Sequence, residues 1–180
     1  SKECLMERFT NSLRSSVDNQ NWYVALSSAL TLPDVCGRLV EPNEKSSERR
    51  YSNWFTAWME PAYTYDLLGR PGHVFLTGGD CYALRCSYLH EGGADISAQR
   101  ARKALDSFHF ISPPTNGFII HCNEMHGVLQ LQVDIFCRQV ADAVDRWATS
   151  VGSDEVIQER MKSLLTIHTN VPGLMDYDWG

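Results

Sequence analysis

The chain has 180 residues, 43% of them hydrophobic and 21% charged, which suits one globular domain with a buried core. Its 22 aspartates and glutamates outnumber 16 lysines and arginines, and this net charge of −6 argues against a broad nucleic-acid-binding surface. No apolar run approaches the roughly 20 residues of a membrane span. No basic and then apolar leader is seen either, so we expect a cytoplasmic protein without membrane contact.

The first part of the chain predicts three helices and a loop. Lys2–Val17 carries apolar residues four apart, which is typical of an amphipathic helix. Trp22–Leu32 is rich in alanine, leucine and aromatic residues and is predicted to be buried, with Pro33 either kinking it or starting a further helical piece. Glu48–Met59 presents an aromatic face, and residues 61–76, with two prolines and two glycines, indicate a connecting loop.

Residues 77–93, TGGDCYALRCSYLHEGG, predict a short helix with marked ends. Thr77 and Asp80 have the spacing of a capping box, and Gly92 and Gly93 supply a stop. From Asp80 to His90 the only other charged side chain is that of Arg85. A helix that is apolar nearly all round belongs inside a bundle, so Arg85 must be paired or face a cleft.

The next stretch predicts a polar segment and a hairpin. Residues 94–103 are polar and bring three cations together, which indicates either an approach surface for RNA or a solvated loop; these are Arg100, Arg102 and Lys103. Phe108–Ile111 and Phe118–Cys122 predict two short strands around a proline- and glycine-containing turn. His109, between two phenylalanines, is predicted to point outward from its strand.

The last part predicts two more helices. Met125–Ala148 keeps one apolar stripe that Leu131 and Ile135 widen, so this helix could serve the core and also a dimer contact. Asp154–Ile167 predicts a final amphipathic helix, so that residues 150–180 comprise a C-terminal helix and an irregular tail. Because no repeat or boundary interrupts the chain, residues 1–180 are predicted to form a single domain, mainly α with a small β-hairpin.

The pair Arg85 and His90 gives the form R-x-x-x-x-H within a capped apolar helix, and this resembles the signature of HEPN domains. The segment ALRCSYLHEGG is also similar to the motif helix of uncharacterised bacterial HEPN-like proteins. The resemblance implies a helical bundle. It also implies a metal-independent ribonuclease of the toxin–antitoxin, antiviral or RNA-processing kind, acting as a homodimer. Many active members carry Asn, Asp or His after the arginine, where this chain has Cys86.

Arg85 and His90 suit RNA cleavage through the 2′-OH without metal. Histidine exchanges protons near neutral pH, and arginine holds phosphate oxygens and stabilises developing charge. Five residues advance a helix by about 500° and about 7.5 Å, which leaves the two side chains about 140° apart. One ideal helix would not focus both on one atom, so the motif needs either a loosened helix end at Gly92 and Gly93 or a second copy. We expect two copies around a shared cleft. The alternatives are a structural ion pair for Arg85 and a helix-dipole position for His90.

No metal site or cofactor is predicted. Two groups of possible ligands, Cys81, Cys86 and His90 and then His121, Cys122 and His126, lack the spacing of known zinc motifs. The six scattered cysteines favour reduced, mostly buried thiols. Two function hypotheses follow: a HEPN-type endoribonuclease with Arg85 and His90 as catalytic residues, or a non-catalytic HEPN-like module that binds a cognate protein or a nucleotide. Burial of Arg85 in an ion pair would favour the second.

Overall fold

The computed structural model describes residues 5–89 and 96–168. Within these ranges the protein is mainly helical, with two small β-sheets beside a helical bundle. The helices are α1 Glu7–Asp18, α2 Trp22–Val40, α3 Ser47–Trp58, a 3-10 helix Glu60–Tyr63, α4 Gly78–Leu89, α5 Ala98–Ser107, α6 Val133–Ser150 and α7 Glu155–Met161. The strands are β1 Thr64–Leu67, β2 Arg70–Val74, β3 Phe108–Ile111, β4 Asn123–Met125 and β5 Val128–Gln132.

Helix α2 lies at the centre and contacts α1, α3, α4, α6 and α7. Its largely apolar sequence explains this position, because nine of its 19 residues are buried: Ala25, Leu26, Ala29, Leu30, Leu32, Pro33, Cys36, Gly37 and Leu39. The helix continues through Pro33 to Val40, so the proline does not start a separate helix. Burial of the surrounding residues offsets the one backbone hydrogen bond that Pro33 cannot donate.

Two glycines allow α3 to approach its neighbours closely. A Cβ atom on Gly37 of α2 would lie 2.5 Å from the carbonyl oxygen of Arg50. A Cβ atom on Gly78 of α4 would lie 2.7 Å from the Cα atom of Ser52. Neither position has room for a side chain, so α2 and α4 both cross α3 with backbones in contact.

Helix α6 begins later in the chain than its apolar stripe predicted. The prediction that it begins at Met125 is wrong, because residues 128–132 form strand β5 and the helix begins at Val133. Leu129 and Leu131, two residues apart, are both buried, which is the period of a strand with one face on the core. From Val133 onward the predicted stripe is buried, with Phe136, Val140, Val144 and Trp147 in the core.

The predicted hairpin between Phe108–Ile111 and Phe118–Cys122 is also wrong. The first segment forms β3, but it pairs in parallel with β5, and the three strands follow the order β3-β5-β4. Residues 118–122 form no strand. The hairpin of this sheet joins β4 and β5 through His126 and Gly127, whose φ angles of 53° and 77° suit a tight two-residue turn.

A second hairpin, β1–β2, occupies the region where a connecting loop was predicted. Gly69, with a φ of 77°, lies at its turn. The polar segment 94–103, predicted to be an approach surface for RNA or a solvated loop, forms α5 from Ala98 onward. The Ser97 hydroxyl accepts a hydrogen bond from the Arg100 backbone N–H and caps this helix.

The C-terminal helix packs against its own chain. Helix α7 ends at Met161, earlier than the predicted Ile167, and the Asp154 carboxylate caps its start. Ile157 and Met161 are buried, and Arg160 donates to the carbonyl oxygen of Leu39 at 2.7 Å. The predicted tail beyond residue 168 lies outside the described residues.

Candidate functional site

The start of helix α4 is built as its sequence predicts. The Asp80 backbone N–H donates to the Thr77 hydroxyl at 3.1 Å, and the Thr77 backbone N–H donates to the Asp80 carboxylate at the same distance. This reciprocal pair is a capping box, so the predicted helix start is confirmed. The predicted burial is also confirmed, because five side chains of the helix lie in the core: Cys81, Tyr82, Ala83, Leu84 and Cys86.

Arg85 lies at the contact between α4 and α2 and forms an ion pair there. Its Nη2 atom lies 2.9 Å from Oδ2 of Asp34. The Arg85 side chain is 13% exposed and the Asp34 side chain 22% exposed, so water screens this pair only partly. The carboxylate therefore neutralises the charge of the predicted phosphate ligand within the chain.

The surroundings keep the Arg85 guanidinium charged. Its Cζ atom lies 5.8 Å from the centre of the Tyr82 ring, and Nη1 lies 3.8 Å from the sulfur of Cys86. Partial burial disfavours the charged form, but the Cys86 sulfur and the Asp34 carboxylate outweigh this effect, so the pKa of Arg85 is raised above its ordinary value. Arg85 thus offers a positioned positive charge and no proton for exchange.

His90, the predicted acid–base partner, lies outside the described residues, as do Gly92 and Gly93. The described part of the motif ends at Leu89. Of the two motif residues Arg85 and His90, only Arg85 lies within the described residues.

The predicted RNA-approach cations lie on α5, and two of them are paired with carboxylates. Arg100 forms two hydrogen bonds with Glu48, of 2.9 and 2.5 Å, and also donates to the carbonyl oxygen of Gly79. These bonds raise the pKa of Arg100 and lower that of Glu48. Arg102 lies 3.2 Å from Asp106, whereas Lys103 is exposed. Arg100 thus ties α5 to α3 and α4 and does not form an open basic patch with its neighbours.

Within the described residues no three His, Cys, Asp or Glu side chains are arranged to hold a metal ion. Burial raises the pKa of Cys81 to about 12, and that of Cys122 to about 11. Thiols with such values are protonated at neutral pH, which makes them poor nucleophiles and poor ligands. His109 is exposed on β3, as its position between two phenylalanines predicted.

An exposed apolar surface lies on α2 and α4, the two helices that the Arg85–Asp34 pair joins. Tyr23 and Val24 of α2 are 77% and 49% exposed, and Tyr88 of α4 is 39% exposed. The Tyr88 hydroxyl donates to the carbonyl oxygen of Tyr23 at 2.9 Å and joins the two helices. An open, mainly apolar cavity of about 280 Å³ continues this surface; Tyr23, Leu26, Leu30, Leu84, Tyr88 and Leu105 line it together with residues 108–110.

Sequence reasoning missed Asp34 and Glu48, the two carboxylates that pair with the predicted site residues. A usable signal was present, because Asp34 is the sole acidic residue between Trp22 and Val40, as Arg85 is the sole cation of α4. This signal marks Asp34 as a charge that needs a partner, but it does not identify Arg85 as that partner.

No protein-family model, curated protein or solved structure matches this chain. Among the described helices, none is both long and apolar enough to cross a membrane.

Proposed function

We propose that this chain is a non-catalytic, HEPN-like interaction module that binds another protein chain, with a second copy of itself as the first candidate. The ion pair between Arg85 and Asp34 carries this proposal. A catalytic arginine has to offer its charge to the scissile phosphate, whereas here a carboxylate 2.9 Å away receives it in a setting that is mostly buried.

The charge of the surrounding surface supports the same conclusion. An RNA phosphate approaching Arg85 would have to compete with Asp34, and one approaching α5 would meet Arg100 and Arg102 already paired with carboxylates. The whole chain carries a net charge of −6 and repels polyanions at long range. Binding of an apolar protein surface is less sensitive to this charge than binding of RNA.

The exposed residues Tyr23, Val24 and Tyr88 supply the contact chemistry of such a module. Aromatic side chains dominate the energetics of protein interfaces because they bury a large area at a low cost in conformational entropy. These residues lie on α2 and α4, the same two helices that the Arg85–Asp34 pair joins. In a homodimer of this kind the two motif helices would face each other.

A metal-independent endoribonuclease remains the second candidate, and the construction of α4 favours it. The helix is capped and largely buried, which fits the HEPN resemblance. The Arg85 side chain stays charged and is 13% exposed. In this function Arg85 would hold the phosphate and His90 would transfer protons at the 2′-OH, within a cleft formed by two copies. Opening of the pair with Asp34 would have to accompany RNA binding.

RNA cleavage in excess EDTA distinguishes the two candidates. Wild type is incubated with pooled transfer and messenger RNAs beside His90→Ala and Arg85→Lys. Lysine keeps a cation for Asp34 while losing the planar group that binds two phosphate oxygens. His109→Ala, which removes an exposed histidine on β3, is the matched control for His90→Ala. The interaction module is expected to cleave no RNA in any form.

Cleavage by wild type and by His109→Ala that is lost in both motif variants would overturn the interaction module and support the nuclease. Equal cleavage by all four proteins would remove the roles assigned to Arg85 and His90 and point to a contaminating enzyme. Circular dichroism and light scattering on each protein show that a loss of cleavage does not come from unfolding or dissociation.

A further inference from the structure

The segment of residues 112–122, between β3 and β4, is held against the junction of β5 and α6 by Gln132. The Gln132 side-chain oxygen accepts a hydrogen bond from the Ile120 backbone N–H at 2.9 Å, and the Gln132 backbone N–H donates to Nδ1 of His121 at 3.2 Å. Gln132 is only 5% exposed, although it directly precedes α6. The two bonds therefore close the 112–122 segment over the start of this helix.

The direction of the second bond sets the protonation state of His121. A backbone N–H can only donate, so Nδ1 must accept through its lone pair and the proton of the neutral ring lies on Nε2. That Nε2 atom is buried, and the Gln139 side chain lies near the ring, although no hydrogen bond of regular geometry satisfies Nε2 within the described residues. The ring packs edge-on against Tyr63, with the ring centres 5.7 Å apart. This is a site built for neutral histidine.

The groups around His121 come from four elements. Tyr63 belongs to the 3-10 helix, Gln132 to β5, and Asp134 and Gln139 to α6, while Cys122 follows in the segment. Cys122 in turn interacts with Tyr65 of β1. Burial raises the pKa values of Tyr63, Tyr65 and Cys122, so these groups stay neutral in weak acid. The Asp134 carboxylate accepts a hydrogen bond from the Gln132 side-chain amide at 2.9 Å.

We propose that His121 is a pH-sensitive latch, whose protonation releases the 112–122 segment from the start of α6. A proton on Nδ1 would face the Gln132 N–H, so that two donors would meet where one hydrogen bond existed. The segment carries Phe118 and Ile119, which are 70% and 73% exposed, and it lines a cavity of about 550 Å³. Its release would reposition this apolar tip and open the cavity.

Burial of the His121 ring determines whether acid closes or opens the segment. Burial lowers the pKa of His121, and the Gln139 amide and Asp134 carboxylate offset only part of this change. The closed segment therefore disfavours the protonated ring. Above the ordinary histidine pKa of about 6.5 the segment is fully closed. As the pH falls below this value and toward the lowered pKa of the closed form, protonation of His121 increasingly favours the open segment.

The test follows the latch by NMR and hydrogen exchange from pH 7.5 to pH 4.5. The readouts are the pKa of the His121 ring and the protection factors of the Ile120 and Gln132 amides, corrected for intrinsic exchange rates. In the wild type, this protection should fall by up to about tenfold for each pH unit between the ordinary and the lowered pKa. The amide of Ala29, in the centre of α2, reports on global unfolding and should stay protected.

Two variants make the result specific. His121→Gln keeps an acceptor for the Gln132 N–H but cannot be protonated, so its segment should stay closed and independent of pH. His109→Gln removes an exposed histidine from β3 and should keep the wild-type transition. The latch would be overturned if wild type and His121→Gln showed the same pH profile. It would also be overturned if the pKa of His121 were ordinary and the protection of the Ile120 and Gln132 amides did not change with pH.

Discussion

At the scale of single residues, the pair Arg85 and Asp34 is the costliest electrostatic feature of the candidate site. Both charges lie on helices that contribute many residues to the core, and removing them from water carries a desolvation penalty that their contact helps to offset. The pair joins residues 51 positions apart in the chain. It therefore selects the way in which α4 docks on α2, in addition to any role at the surface.

We predict that Asp34→Ala lowers the free energy of unfolding by about 1–3 kcal/mol, because the mostly buried Arg85 guanidinium loses the Asp34 carboxylate. Asp34→Asn keeps an acceptor oxygen and should cost less. Urea denaturation at neutral pH measures both. Asp106→Ala, which breaks the exposed Arg102–Asp106 pair, is the matched control and should change stability by about 0.5 kcal/mol or less. An Asp34→Ala loss no larger than this control would contradict the assigned role of the pair.

The sequence allowed one half of this site to be predicted. Arg85 could be singled out because it is the sole cation in an apolar helix, and such a side chain needs a partner or a cleft. Its partner Asp34 could not be matched to it, because that step requires knowing that α2 and α4 pack together. The same limit applies to Arg100, whose partner Glu48 lies 52 residues away on α3.

At the scale of elements, helix starts were predictable where a local hydrogen bond sets them, and pairing between distant strands was not. The capping box of α4 depends on residues three positions apart, Thr77 and Asp80. The parallel pairing of β3 with β5 depends on a register about 20 residues apart, which no local pattern records. Leu129 fits the apolar pattern of a strand and also that of a helix that continues into α6. The predicted start of α6 was therefore too early in the chain.

Two neighbouring glycines in the first turn of α4 give a prediction for this element. A Cβ atom on Gly78 would lie 2.7 Å from the Ser52 backbone, whereas one on Gly79 would have its nearest neighbour at 3.6 Å, in ordinary contact. Gly78→Ala should therefore destabilise the protein by about 1–3 kcal/mol through the forced separation of α3 and α4. Gly79→Ala, with the same gain in helix propensity, should be neutral or stabilising by about 0.5 kcal/mol.

Thermal unfolding of the two glycine variants beside wild type measures this difference. Because both substitutions lie in the same helical turn, effects on the unfolded chain cancel between them. Equal stability of the two alanine variants would mean that α3 and α4 do not cross with their backbones in contact at Gly78.

At the scale of the whole molecule, an acidic chain presents an apolar surface on α2 and α4. A net charge of −6 on each copy opposes self-association, while burial of exposed aromatic residues favours it. Salt screens the first effect and leaves the second largely intact. The proposed homodimer should therefore become tighter, not weaker, as the ionic strength rises from about 0.05 to 0.5 M.

Light scattering and sedimentation over a range of protein concentrations test this assembly. Tyr23→Glu places a charge at the centre of the apolar surface and should raise the dissociation constant of the dimer at least about 30-fold, which corresponds to about 2 kcal/mol for a central aromatic residue. Leu68→Glu is the matched control, because Leu68 is fully exposed at the turn between β1 and β2. If both variants self-associate as the wild type does, or if the wild type is monomeric throughout, the surface on α2 and α4 does not join two copies. A partner of a different sequence would then have to cover it.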